Sequence, residues 1–391
     1  MSSGTRSYEM ARRLVSAGHE VLMITSDRDE NTARSGWYET NEAGIHVHWV
    51  RVPYANELSY ARRIAAFMRF SWLATVKAVG LKADVIFATS TPLTIAIPAL
   101  IVSRVQRVPM VFEVRDLWPE APIAMGALRN PALRWLASSL EWLAYHGASH
   151  VVALAPRIAN GIQRRGIPAV RVSVIPNSCD VELFDVPARR GKHIRDQLAG
   201  MRPDQPLVLY AGAFGRVNGL SYLVKLAEAM REIAPETWFL LVGEGTEREI
   251  IVQEAEQRGV LNRNLWVWNP LPKREMPDLF AAATVGISVA VPLKELELDS
   301  ANKFFDALAA GKPPVINYGG WLADLLRETG AGVALPPHDI EQAALMLASF
   351  LRDKKRLSRA ARAARKLART RFHRDEMARQ LEATLRRVVE L

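Results

Sequence analysis

Cysteine is nearly absent. Cys179 is the only one among 391 residues, which excludes a disulfide framework and any cysteine-built metal centre and fits a reducing, cytoplasmic setting. Long hydrophobic runs are missing too. The longest, TPLTIAIPALIV at 91–102, holds two prolines and falls short of the ~20 apolar residues that a spanning helix needs. No secretory signal is expected at the start, and neither a low-complexity tract nor a solenoid-type repeat runs through the chain. Acids are in deficit: 41 Asp and Glu against 51 Lys and Arg leave a net charge of +10. An anionic partner is therefore expected, whether a phosphate-rich ligand, a membrane surface or nucleic acid.

What is present is ordinary globular material, 49% hydrophobic and 24% charged, in a length that suits two domains with a core each. TRSYEMARRLVSAG, from Thr5, has helical spacing and ends at Gly18, and HEVLMITS after it reads as a buried strand. Further strands are predicted at 45–51, 84–88, 109–114, 149–154 and 171–175, with helical stretches between. The pattern breaks near 180–200 and restarts at Pro206 with PLVLYAGAFG, followed by TWFLLVGEG, NLWVWNPL, VGISVAV and PPVINY. Strands alternating with helices imply parallel βαβ units. The expected fold is thus α/β, with two Rossmann-like doubly wound domains facing a central cleft, at 1–185 and 186–371. Ligands in such sheets sit beyond the carboxyl ends of the strands, next to helix N-termini. The chain opens on a helix, and the first strand of the first domain is apparently missing; truncation and a fold built without that strand are both open readings.

Three glycine-bearing loops follow strands of the second half: GAFGRVNG (212–219), VGEG (242–245) and DSANK (299–303). Gly212, Gly215 and Gly219 would let backbone approach a diphosphate, and Gly243 and Gly245 are further binding candidates, although tight βα turns would look the same. In LDSANKFFDALAAGKPPV (298–315), Ser300 reads as an N-cap, Asn302 to Ala310 as a helix, Gly311 as its end and Pro313 as the stop. Lys303 then lies in the first turn. That is the wrong end for a cation, since helix N-termini favour anions by ~0.3–1 kcal/mol. A docked anion accounts for it; a solvent-exposed lysine is the alternative.

FEVRDLWPEAPIAMGAL (112–128), VIPNSCD (174–180), YAGAFGRVNGLSYL (210–223) and SANKFFDALAAGKPPV (300–315) resemble, in this order and over nearly the whole chain, family 4 glycosyltransferases. These are two-domain GT-B enzymes, and the resemblance extends to the bacterial L-fucosamine (N-acetyl-fucosaminyl) transferases of O-antigen and capsule assembly. It implies retaining, metal-independent transfer with no cofactor beyond the nucleotide-sugar co-substrate, here read as a UDP-sugar carrying an N-acetylated or deoxy hexose. The donor would be held by the C-terminal domain, and the acceptor would be lipid-linked or a saccharide. The terminal helix, 372–391, with apolar residues at 377, 381, 385 and 388, would cross back to complete the N-terminal domain.

Residue by residue, the likeness carries departures. Many relatives clamp the diphosphate with an Arg and a Lys where Ala213 and Asn218 stand here, so Lys303 becomes the replacement cation, helped by Arg216 and by the loop and first-turn groups of Ser300, Asn302 and Phe304. Asp306 falls where the family's second Glu is expected and would bind a ribose or sugar hydroxyl. The first Glu position is Leu298, with Asp299, Glu295 and Glu297 near. Arg115 replaces a cleft His; Arg115, Asp116 and Glu120 would serve the acceptor hydroxyl, the donor sugar or a phosphate, and Asp116 as a helix N-cap is the plain alternative. Leu271 would stand at the base.

Other signals are weaker. His146 and His150 have the spacing of a zinc pair, yet Gly147 interrupts the helix and no Glu accompanies them. Residues 61–80 mix Arg62, Arg63, Arg69 and Lys77 with Phe67, Phe70 and Trp72, which suits a peripheral attachment to the inner face of the cytoplasmic membrane or core packing with solvated arginines. Between 352 and 374, eleven Lys or Arg face the single acid Asp353; this is a solvated face or an anionic-lipid contact. The rivals to a transferase are a GT-B UDP-sugar 2-epimerase and a basic nucleic-acid-binding protein. No recognition motif supports the latter, and nucleic acid is not expected as a partner.

Overall fold

Continuous apolar runs such as LVLYA and WFLLV bury both faces of a strand, as parallel sheets require, and the fold is organised around them. The computed structural model describes residues 6–28, 36–55, 58–90, 92–124, 126, 128–293 and 300–390. The chain divides into two units: the first runs to Pro176 and takes in Met377–Leu391, and the second is Asn177–Glu376.

The first unit carries two sheets. One is formed by β1 (Leu22–Asp27), β2 (Trp37–Glu42) and β3 (Ile45–Arg51) in the order β1-β3-β2. β1 and β3 are parallel, but β2 runs antiparallel to β3, a hairpin absent from the sequence-based expectation of parallel strands only. Its two-residue turn, Ala43 and Gly44, has φ of 54° and 83°, the doubly left-handed geometry that matches strand twist. The other sheet is parallel and ordered β4 (Ile86–Thr89), β5 (Met110–Val114), β6 (His150–Ala153), β7 (Val172–Val174). The helix Arg6–Ser16 and the terminal helix Arg374–Glu390 share a core with it: Met10 packs with Val111 and Val152, and with Met377, Leu381 and Leu385. The last helix therefore completes the first unit.

The second unit is one six-stranded parallel sheet of β8 (Leu207–Ala211), β9 (Trp238–Val242), β10 (Leu265–Trp268), β11 (Val285–Ser288), β12 (Pro314–Ile316) and β13 (Val333–Ala334). Its order is β10-β9-β8-β11-β12-β13, the Rossmann pattern 3-2-1-4-5-6, whose direction of winding reverses between the first and fourth strands. Helices cover both faces, and Phe214, Phe239, Phe280, Phe304 and Phe305 are fully buried. Each such ring contributes about 1.5–3 kcal/mol relative to exposure.

The division falls at 176/177 and 376/377 instead of the expected 185/186 and 371/372. The reason is packing. Cys179, Val181 and Phe184 enter the core of the second unit, and segments 177–180 and 372–374 lie side by side there, with Cys179 N donating to Phe372 O at 2.7 Å and Arg374 N to Cys179 O at 3.1 Å. The basic run is one outward face of the helix Lys354–Thr370, whose other face buries Ala360, Ala364, Leu367 and Ala368. Among the described residues, no helix is long and apolar enough to cross a membrane.

Candidate functional site

The reversal of strand order puts the loop after β8 and the chain after β11 side by side at the carboxyl edge of the sheet, where ligands of such folds sit. The first supplies 212–219, the second the helix Asn302–Ala309. Lys303 Nζ donates to Asn218 Oδ1 at 2.7 Å and lies over the Tyr210 ring, 5.1 Å from its centroid. Asn218 Nδ2 in turn donates to Ala213 O at 3.0 Å, and so does the Tyr210 hydroxyl at 2.7 Å. Burial pushes the Tyr210 phenol up, so it stays protonated and keeps that bond. Lysine, asparagine and tyrosine thus pin the loop and the ammonium together. Ala213 and Asn218 thus serve as fixtures of a single lysine.

Small residues set how closely these loops approach. A Cβ on Gly212 would come within 3.0 Å of Lys303 Cε and 3.3 Å of the Tyr210 oxygen. Gly243 and Gly245 have φ of 157° and 153°, and a Cβ on Gly243 would fall 1.9 Å from Gly212 O, one on Gly245 2.5 Å from Phe214 O. These two glycines let the loop after β9 lie on the loop after β8, locked by Gly212 N to Val242 O at 3.0 Å and Phe214 N to Glu244 O at 2.8 Å. Arg216 and Asn218 form the single 3₁₀ turn that follows Gly215, closed by Gly219 at φ 56°.

Several expected roles shift. Ser300 is not the N-cap: Ala301 is, with no side-chain cap. Ser300 is buried and its Oγ accepts from Asn177 N at 3.2 Å, while its carbonyl accepts from Asn177 Nδ2. Phe304 is wholly buried in the core and its amide donates to Ala301 O at 3.0 Å, so it is a packing residue with no group to offer a donor. Asn302 is exposed in the first turn. Leu271 is half-buried against the core after β10. Asp306 is half-buried and its carboxyl is raised to about 6, by burial first and by Asp180, against the pull of Arg374 and Lys273. Those groups form a network of their own: Arg374 reaches Asp180 at 2.9 Å and Lys273 reaches it at 3.4 Å. Asp306 is accordingly coupled to the charges of segments 177–180 and 372–374. Glu295, Glu297, Leu298 and Asp299 lie outside the described residues.

In the first unit, Arg115 is half-buried with its amide held by Ser90 Oγ at 3.0 Å, and Asp116 is exposed. Glu120 pairs through Oε1 with Arg165, which also reaches buried Glu141 at 3.3 Å, and its Oε2 has no hydrogen-bond partner among the described residues. Burial raises Glu141 to about 7, with Glu120 adding and Arg165 opposing. His146 lies in the last turn of the helix Pro131–Gly147, stacked on Trp142, while His150 sits on β6 against Ser173 Oγ, so they form no metal pair. Among the described residues Glu182, His373 and Asp375 converge, but His373 Nδ1 accepts from Asp375 N at 3.2 Å and Nε2 faces Glu182 at 2.9 Å, which leaves neither ring nitrogen for an ion.

One cluster escaped sequence reading altogether. Arg6 donates to Glu113 Oε2 at 2.8 Å, Pro176 O at 2.7 Å and Ile175 O at 2.8 Å, and Thr89 Oγ1 donates to Glu113 Oε1 at 2.8 Å. It joins the first helix to the carboxyl ends of β4, β5 and β7. The charge of Glu113 inside the apolar strand MVFEV was the available signal.

Comparison with known proteins agrees with this architecture. Residues 3–178 match the family described as glycosyl transferase 4-like domain, and 195–367 match glycosyl transferases group 1. The D-inositol 3-phosphate glycosyltransferase of Xylanimonas cellulosilytica is 32% identical over 221 residues, 53% of this chain and about half, 49%, of that protein. The putative colanic acid biosynthesis glycosyl transferase WcaI of Escherichia coli K12 is 24% identical over 86% of both chains. Among solved structures, sucrose-phosphate synthase of Thermosynechococcus elongatus superposes with a TM-score of 0.75 at 17% identity, covering 99% of this chain and 94% of that one. HepE of Anabaena, solved with UDP and glucose, gives 0.67 at 20% identity over 88% and 87%.

Proposed function

We propose that the chain, in which a match to the glycosyl transferase 4-like domain is followed by a match to glycosyl transferases group 1, is a glycosyltransferase of GT-B type, and specifically a retaining family 4 enzyme using a UDP-sugar. The sugar would be an N-acetylated or deoxy hexose, and the acceptor a lipid-linked or saccharide hydroxyl in cell-surface polysaccharide synthesis. The observation that carries the reading is Lys303, held by Asn218 and Tyr210 beside Gly212 at the strand-order reversal. A preorganised ammonium next to helix amides is what a departing diphosphate requires. The UDP present in the HepE structure and the putative part of WcaI in colanic acid biosynthesis support the choice of donor and pathway class.

In this reaction the sugar C1–O bond to the β-phosphate breaks and its electron pair passes to the phosphate oxygen. The acceptor oxygen bonds C1 on the same face and its proton goes to that phosphate oxygen. UDP leaves carrying the charge that Lys303 faces, with Arg216 as second cation and Asp306 receiving a ribose or sugar hydroxyl. No metal enters this scheme. Arg115 and Asp116 serve the acceptor side.

Thermal shift against UDP, GDP and ADP tests the reading. UDP alone is expected to stabilise, by about 2.7 kcal/mol at a hundredfold excess over Kd, and UDP release should accompany transfer. Absence of stabilisation by any nucleoside diphosphate, together with salt-sensitive retention on DNA, would overturn it.

A further inference from the structure

In the first unit the helices Tyr60–Val79, Ala96–Gln106 and Pro131–Gly147 stand side by side in that order. Gly147 makes the second contact possible, since a Cβ there would meet Leu100 Cδ2 at 2.4 Å. The outward side of such a layer is normally polar and mixed in charge. Here it is neither. Trp72, Val76 and Val79 follow one another along the first helix, Ile101 and Val105 face out from the second, and Trp135 and Trp142 from the third, with Trp72 and Trp135 each 69% exposed and Trp142 53%. An exposed apolar surface built from three separate helices marks an interaction site, where a scattered single residue would not.

Charge sharpens the choice of partner. Arg62 and Arg69 lie on the stripe of Trp72 and Val76 by heptad spacing, and Arg104 and Arg107 extend or follow the second helix; all four are exposed. The three helices contain one acid, Glu141, which is buried beneath them beside Arg165. A surface that is broad, apolar, rich in tryptophan and cationic, on helices that carry no exposed acid of their own among the described residues, complements a bilayer interface containing anionic lipid: indole rings favour the headgroup level, and arginines reach from an apolar stem to phosphate. We propose that this three-helix face seats the protein on an anionic membrane surface, with Trp72, Trp135 and Trp142 as the inserted anchors. The proposal stands independently of the transferase reading, because binding to vesicles needs no turnover.

Co-sedimentation of the full chain with vesicles of phosphatidylcholine, and of phosphatidylcholine mixed with phosphatidylglycerol, tests it. The mixed vesicles are expected to bind at least about tenfold more protein at low salt, with the difference shrinking as salt rises. Trp72→Ser/Trp135→Ser/Trp142→Ser should lose about tenfold of that binding, and Arg69→Gln/Arg104→Gln should lose the preference for phosphatidylglycerol. Both variants change exposed positions, so an unaltered melting temperature and an unaltered response to UDP are expected to accompany the loss. Equal binding to the two vesicle types overturns the proposal, as does a tryptophan variant that binds like the parent. A parent chain that dimerises through this face, with the tryptophan variant monomeric, would assign the surface to a second copy instead.

Discussion

Replacing Lys303 by methionine removes one positive charge and keeps an unbranched stem of similar reach. The ammonium is fixed before any ligand arrives, by Asn218 Oδ1 at 2.7 Å and the Tyr210 ring at 5.1 Å, so its full interaction is available when the diphosphate departs. A unit charge about 4 Å away at a protein edge interacts with roughly 4 kcal/mol, and loss of one preorganised donor to a developing anion costs about 2.7–4 kcal/mol in measured cases. These agree on a loss of roughly 10²–10³ in kcat/KM. The fold should barely respond, because Asn218 keeps Ala213 O and one lost hydrogen bond amounts to about 1 kcal/mol. Initial rates of UDP release, with melting temperature as the control, measure both quantities. A variant with less than about a tenfold fall in kcat/KM would refute the role given to Lys303.

Further outcomes follow from single groups. Gly212→Ala should fold, since its Cβ meets the movable end of Lys303 at 3.0 Å, yet displace that lysine and lower kcat/KM by about tenfold, or ~1.4 kcal/mol; Gly243→Ala meets backbone at 1.9 Å and should unfold the second unit readily on heating. Arg6→Met leaves Glu113 buried without its partner, with side-chain exposures of 4% and 2% in the pair, and should destabilise the first unit by about 3–5 kcal/mol in urea titration. Glu141→Gln tests the buried carboxyl. Its folded value of about 7 lies above the ordinary 4.5, so the native state binds the extra proton and the parent loses stability as pH rises from about 4.5 through 7. The variant should therefore match the parent near pH 5 and exceed it at pH 8, with an upper bound of ~3 kcal/mol; a pH-independent difference in melting temperature would contradict the assignment.

The second sheet was legible because its strands are buried on both faces and read as unbroken apolar runs, and the first-turn lysine was legible because helix punctuation at Gly311 and Pro313 located the turn. The β2–β3 hairpin was not, since Ala43 occupies a left-handed position usually marked by Asn or Asp. Ser300 had the right chemistry for a cap, but a partner 123 residues away in sequence, Asn177, claims it. Local spacing cannot reveal that competition. The pairing of Glu120 Oε1 with Arg165, 45 residues on, is equally invisible to local spacing. The unit border was displaced because Cys179, Val181 and Phe184 are apolar enough for either core, and only packing decides which one takes them.

Where a nucleotide's phosphates lie decides the role of Lys303. A crystal structure of the UDP complex is predicted to put the β-phosphate within hydrogen-bond reach of Lys303 Nζ and the N-terminus of helix Asn302–Ala309. A pyrophosphate held elsewhere on the second sheet, out of reach of that ammonium, would contradict it.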